Sequence, residues 1–87
     1  MNFLNEQEIE ITSLAFHQQP NNERLQGYPR RMVYNGQEVS FIELSMQYLV
    51  RKGQQLVQLF DMSDGDTLYR LRYEDNRWTL IGTGVGA

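Results

Sequence analysis

Few side chains in this 87-residue chain could do chemistry, and spacing limits each of them. His17 is the only imidazole and there is no cysteine. A zinc site therefore lacks its usual thiolate and imidazole ligands. Nucleophilic catalysis would need a serine or threonine set against His17, and no G-x-S-x-G elbow occurs. Asp61, Asp64 and Asp66 suggest a calcium loop, but such a loop needs oxygen ligands at its first, third and fifth positions, glycine at the sixth and glutamate at the twelfth. Counting from Asp61, the fifth position is Gly65, the sixth Asp66 and the twelfth Arg72. The aspartates read as turn formers. No metal and no cofactor is expected, no carboxylate pair stands out as acid and base, and no catalytic residue is nominated.

Two further patterns invite a binding role. Arg70 and Arg72 share one face of an extended segment, and Arg51-Lys52 ends another. A basic stripe beside tyrosines suits phosphate or single-stranded nucleic acid, yet Glu43, Glu74 and neighbouring acids are placed to neutralise it, which favours an ion-paired, solvated face. The net charge of −3 and a pI near 5.0 also disfavour nucleic acid. Gly82, Gly84 and Gly86 alternate at the carboxyl end, but without a following helix they cannot cradle a dinucleotide. Residues 82–87 read as a flexible tail.

The elements that must position these residues are strands. Asn35-Gly36, Lys52-Gly53, Ser63-Asp64-Gly65 and Asp75-Asn76 each separate stretches of alternating polarity, the signature of an antiparallel meander. Ile9 and Ile11 open a first strand whose pattern changes parity near Ser13, which predicts a bulge there. Residues 18–27, with Pro20-Asn21-Asn22, read as a loop, and Pro29 suits a strand start. Ile42 to Val50 alternates with period two; a capping-box match at Ser40-Phe41-Ile42-Glu43 is set aside because a helix would scatter those apolar residues around its circumference.

Turn chemistry then predicts register. Asn35-Gly36 pairs Met32 with Val39. A Lys52-Gly53 loop sets Tyr48 against Val57 and Met46 against Leu59. A three-residue Ser63-Asp64-Gly65 loop sets Tyr69 against Leu59 and Leu71 against Val57. Asp75-Asn76 pairs Tyr73 with Trp78, Leu71 with Leu80 and Glu74 with Arg77. A bulge at Phe41-Ile42 would join residues 38–51 into one strand spanning over ~40 Å, too long to stay flat. The expectation is a single all-β domain over residues 1–87, an antiparallel meander of about six strands, strongly curled or closed into a small barrel.

Two candidate surfaces follow. The predicted core face lines a candidate small-ligand pocket with Met46, Tyr48, Tyr69, Tyr73 and Trp78. The opposite face carries a candidate interface of Leu49, Leu56, Phe60, Leu68 and Ile81, with Arg70 and Arg72 beside them. A domain this small, without disulfides, gains from added burial. The expected role is a non-catalytic binding or assembly module, a homodimer or a partner of another protein; the alternative is a ligand carrier. No apolar run approaches the length of a membrane span and the start, Met1 to Glu6, has no basic n-region, so a cytoplasmic location is expected.

Overall fold

The computed structural model describes residues 1–16 and 27–86. Seven strands follow one another along the chain: β1 (Asn2–Phe16), β2 (Gly27–Tyr34), β3 (Gln37–Ser40), β4 (Glu43–Lys52), β5 (Gln55–Ser63), β6 (Thr67–Glu74) and β7 (Arg77–Val85). Every pairing is antiparallel, in the order β3-β2-β1-β7-β6-β5-β4. The fold is an all-β antiparallel meander of seven strands instead of about six, and it is not closed into a barrel. His17 and the Pro20-Asn21-Asn22 loop lie outside the described residues.

The extra strand comes from Phe41-Ile42. No bulge joins residues 38–51 into one strand; the chain changes neighbours there. The Phe41 N–H donates to the Arg30 carbonyl of β2 and the Ile42 N–H to the Ser63 carbonyl of β5, both at 2.8 Å. β3 and β4 thus occupy the two ends of the sheet although two residues connect them. A flat sheet of seven strands would hold its ends about 29 Å apart, and two linking residues bridge at most ~11 Å. The sheet therefore bends, with no ladder between β3 and β4. β1 makes the bend possible: residues 2–9 pair with β7 and residues 10–16 with β2. Register shifts on either side of Ser13 mark the predicted bulge, within the part of β1 that pairs with β2.

Two turns have the predicted registers. Asn35 (φ 52°) and Gly36 (φ 75°) set Met32 against Val39, and Asp75 (φ 53°) and Asn76 (φ 60°) set Tyr73 against Trp78 and Leu71 against Leu80. Both central residues are left-handed, as a type I′ turn requires.

The other two turns differ. Lys52 pairs with Gln55, so the loop is Gly53-Gln54 and Tyr48 lies against Leu59, not Val57. The Asp64 N–H donates to the Thr67 carbonyl at 3.1 Å, so the next loop is Gly65-Asp66. In both, glycine holds the first loop position with positive φ, 62° at Gly53 and 105° at Gly65. The preceding Lys52 and Asp64 keep negative φ, and only glycine adopts the left-handed conformation without steric cost.

The second slip changes the core. Phe60 pairs with Leu71 and Met62 with Tyr69, so Phe60 sits on the packed inner face and not on an outer one. Phe60, Leu71, Leu80 and Met32 are fully excluded from solvent, with Met62, Ile9, Phe41 and Tyr69 buried around them. Trp78 packs at a tilt against Tyr73 at 4.6 Å and against Phe60 at 5.3 Å between ring centroids, while Phe41 meets Tyr69 edge-on at 5.7 Å. Residues 82–85, expected as a tail, complete β7: Gly84 pairs with Leu68 and Val85 with Thr67, and the Gly86 N–H donates to the Asp66 carbonyl.

Candidate functional site on the outer sheet face

The alternation that buries Phe60 and Met62 turns Val57, Leu59 and Asp61 of β5 to the opposite, outer face. Register places Met46, Tyr48 and Val50 of β4 beside them on one flank, and Arg70 and Arg72 of β6 on the other. Asp61 lies directly across from both Met46 and Arg70. The Arg70 guanidinium donates to both carboxylate oxygens, from Nε to Oδ1 at 2.8 Å and from Nη2 to Oδ2 at 2.9 Å. The Tyr48 hydroxyl donates to Oδ2 at 2.6 Å and accepts from Arg70 Nη2 at 2.8 Å. Arg70 also lies over the Tyr48 ring, 5.3 Å from its centroid.

Burial alone would push the Asp61 carboxyl up; the hydrogen bonds from Arg70 and Tyr48, with the Arg70 charge, outweigh it and hold the group below the usual carboxylate range. The same contacts raise the partners: the hydrogen bond to Asp61 leads for both Tyr48 and Arg70. Chemically this is a closed set. The tyrosine proton is committed to Asp61, and the carboxylate is held ionised.

Arg72 anchors a second cluster. It forms a two-pronged ion pair with Glu6 of β1, with Nη2 to Oε2 at 2.9 Å, and the bond to Glu6 raises the guanidinium while lowering the carboxyl. Its Nε is buried without a hydrogen-bond partner among the described residues, 3.7 Å from the Glu74 carboxylate. The arginine face is therefore ion-paired, as expected, but chiefly through Asp61 and Glu6 and not through Glu43. Sequence inspection missed both acids, because only the register reveals that Asp61 faces Arg70 and that β1 lies beyond β7.

Neither candidate set forms one surface. Of the proposed interface, Phe60 is core; Leu49 and Leu56 lie on the inner side of the β4–β5 hairpin, past the packed centre, about two-fifths exposed. Leu68, Arg70 and Arg72 face outward, and Ile81 is the unpaired residue of a bulge where β7 shifts register against β6. Of the proposed pocket, Met46 and Tyr48 face outward while Tyr69, Tyr73 and Trp78 face inward, where the space is filled by packed side chains. Asp64 is a turn former: its Oδ1 accepts from the N–H groups of Asp66 and Thr67, and the Thr67 bond leads in lowering its carboxyl.

The concavities lie elsewhere. Val50, Val57, Leu59 and Ile81 line a groove of about 320 Å³ whose rim carries Arg51, Lys52, Arg72 and Glu74. Next to it a polar cleft of about 520 Å³ is lined by Glu6, Glu8, Arg72, Glu74, Arg77 and Thr79, with Asp75 at its edge. Comparison with protein-family models, with curated proteins and with solved structures gave no match to this chain.

Proposed function

We propose that the chain is a non-catalytic binding or assembly module acting through its sheet surface, with a second copy of itself docking along β4. The observation that carries this reading is the character of β4. It ends the sheet order, runs ten residues, and exposes Met46 (56%), Val50 (43%) and Leu49 (37%). Lys52 and Gln55 close a two-residue loop as a hydrogen-bonded pair, so alternation directs the backbone polar groups of Leu49 and Arg51 away from β5. A long apolar edge of this kind is a template for strand addition. Its charges favour a two-fold partner: Glu43 lies at one end and Arg51-Lys52 at the other, so antiparallel pairing brings opposite charges together. Of the other edges, β3 offers only four residues, and along the residues of β1 that pair only with β7 a two-fold partner would bring the like charges of Glu6 and Glu8 together.

A non-catalytic role is supported by the closed Tyr48–Asp61–Arg70 set, which holds its proton and its charges internally. Among the described residues no helix is long and apolar enough to cross a membrane. Native mass measurement tests the reading. The protein should be dimeric at about 100 μM, well above a micromolar dissociation constant, and Leu49→Lys should make it monomeric with its fold retained and a melting temperature that no longer depends on protein concentration. A wild-type monomer at that concentration overturns the assembly reading.

A further inference from the structure

The outer-face groove carries a second, independent inference. Its floor is aliphatic: Val57 is buried at 7% exposure, and Leu59 and Ile81 are half-buried beside Val50. At about 320 Å³ it falls at the lower end of the range of small-molecule sites. Its rim is unevenly matched in charge. Arg72 is engaged by Glu6 on one side and approached by Glu74 on the other. The Lys52 side chain makes no hydrogen bond and no ion pair among the described residues and is only near enough to Glu6 to help lower its carboxyl. Arg72 is thus matched by carboxylates, and the charge left uncommitted on this face is the Lys52 ammonium. The neighbouring cleft offers the opposite combination, with carboxylates in excess and no aliphatic floor.

We propose that this groove binds a small amphiphilic carboxylate, its apolar body on Val50, Val57, Leu59 and Ile81 and its anionic head at Lys52, which alternation places on the same face. A head in that place gains a cation that no side chain described in the same chain binds, while the body displaces water from aliphatic surface that the fold leaves uncovered. Pairing through β4 would use the in-plane edge and leave the aliphatic floor open, but it would also set the partner copy's Glu43 beside Lys52, so the monomeric Leu49→Lys variant should bind at least as tightly as the wild type.

The test is titration of the full wild-type chain with sodium octanoate at low salt, followed by amide chemical shifts, with octylammonium as the charge-reversed probe. Octanoate should give saturable shifts at Lys52, Val57, Leu59 and Ile81 with a dissociation constant of about 1 mM or tighter. Hexanoate should bind about fifteenfold more weakly, since it lacks two methylenes and each, when buried, contributes roughly fourfold. Octylammonium should bind at least about tenfold more weakly than octanoate. Lys52→Glu should weaken octanoate by about tenfold and erase that preference at unchanged melting temperature, and Lys52→Gln should have an intermediate effect. Equal binding of the two probes, shifts confined to Leu49 and Leu56 on the other face, or no saturation would each overturn the proposal.

Discussion

Replacing Arg70 with methionine tests whether the outer-face network is a principal support of this sheet. The change removes both guanidinium bonds to Asp61 and leaves a carboxylate whose side chain is 7% exposed with only the Tyr48 hydroxyl. Breaking one side of a buried ion pair costs about 3–5 kcal/mol. Arg70 itself is 23% exposed, so solvent screening places the loss at the lower end, about 3 kcal/mol. For a chain of this size that lowers the melting temperature by about 12–24 °C.

The pH dependence makes the test specific. In the wild type the Asp61 carboxyl titrates below its unfolded value, so the unfolded chain binds more protons in the acid range. Its contribution is complete above the unfolded pKa of about 3.9 and is lost as pH falls through the folded value. Without Arg70, burial dominates and the carboxyl rises, so ionised Asp61 opposes folding at neutral pH. The deficit of Arg70→Met should therefore be largest at pH 7 and shrink as pH falls below the unfolded carboxylate value of about 3.9 and through the lower folded value. Urea unfolding from acid to neutral pH reads this directly. A deficit under about 1 kcal/mol at pH 7, or one that persists unchanged in acid, would refute the reasoning. The double variant Asp61→Leu/Arg70→Met should recover part of the loss, because an apolar pair leaves no buried charge unpaired.

Other outcomes follow from packing and turns. Phe60→Ala should destabilise by about 3–5 kcal/mol in chemical denaturation, as a fully buried residue does, while leaving association unchanged among molecules that remain folded. Asn76→Val should cost about 1–2 kcal/mol by the same measurement, because valine must adopt a left-handed φ of 60° and the Tyr73 hydroxyl loses its acceptor. Gly27→Ala should cost about 1–3 kcal/mol, since its Cβ would lie 2.7 Å from the Ala15 carbonyl oxygen of the paired strand. Gly82→Ala should cost less, because the flexible Met1 side chain is the nearest neighbour and can move. Calcium at millimolar concentration should leave the melting temperature unchanged; a saturable rise would show a ligand site at the Asp64 turn, whose oxygens now accept backbone bonds.

The parts of the fold legible in the sequence are those where one residue type satisfies one turn geometry. Asparagine tolerates a left-handed backbone, so Asn35-Gly36 and Asp75-Asn76 define their loops and with them the Met32–Val39 and Tyr73–Trp78 pairs. Lysine does not, so the Lys52-Gly53 loop shifts by one residue to put glycine first. That slip moves cross-strand partners by two places and preserves the faces. The Gly65-Asp66 loop was harder to read, because choosing a three-residue turn instead reverses every side chain of β5.

Polarity could not arbitrate there, because β5 is apolar on both sides: Val57 and Leu59 on one, Phe60 and Met62 on the other. The discriminating signal was charge. Only the observed register sets Asp61 against Arg70, whereas the three-residue loop leaves that carboxylate near the core without a cation. The same ambiguity hid the outer-face groove. A strand with apolar residues on both faces must cover both, and the second face of β5 is covered only in part. Asp61 is closed over by Tyr48 and Arg70, but Leu59 is left to a groove that Ile81 reaches only because β7 bulges there. Neither the bulge nor the bend at Phe41-Ile42 has a residue type that demands it. Both arise from how distant strands meet, which is where local reading of this chain ends.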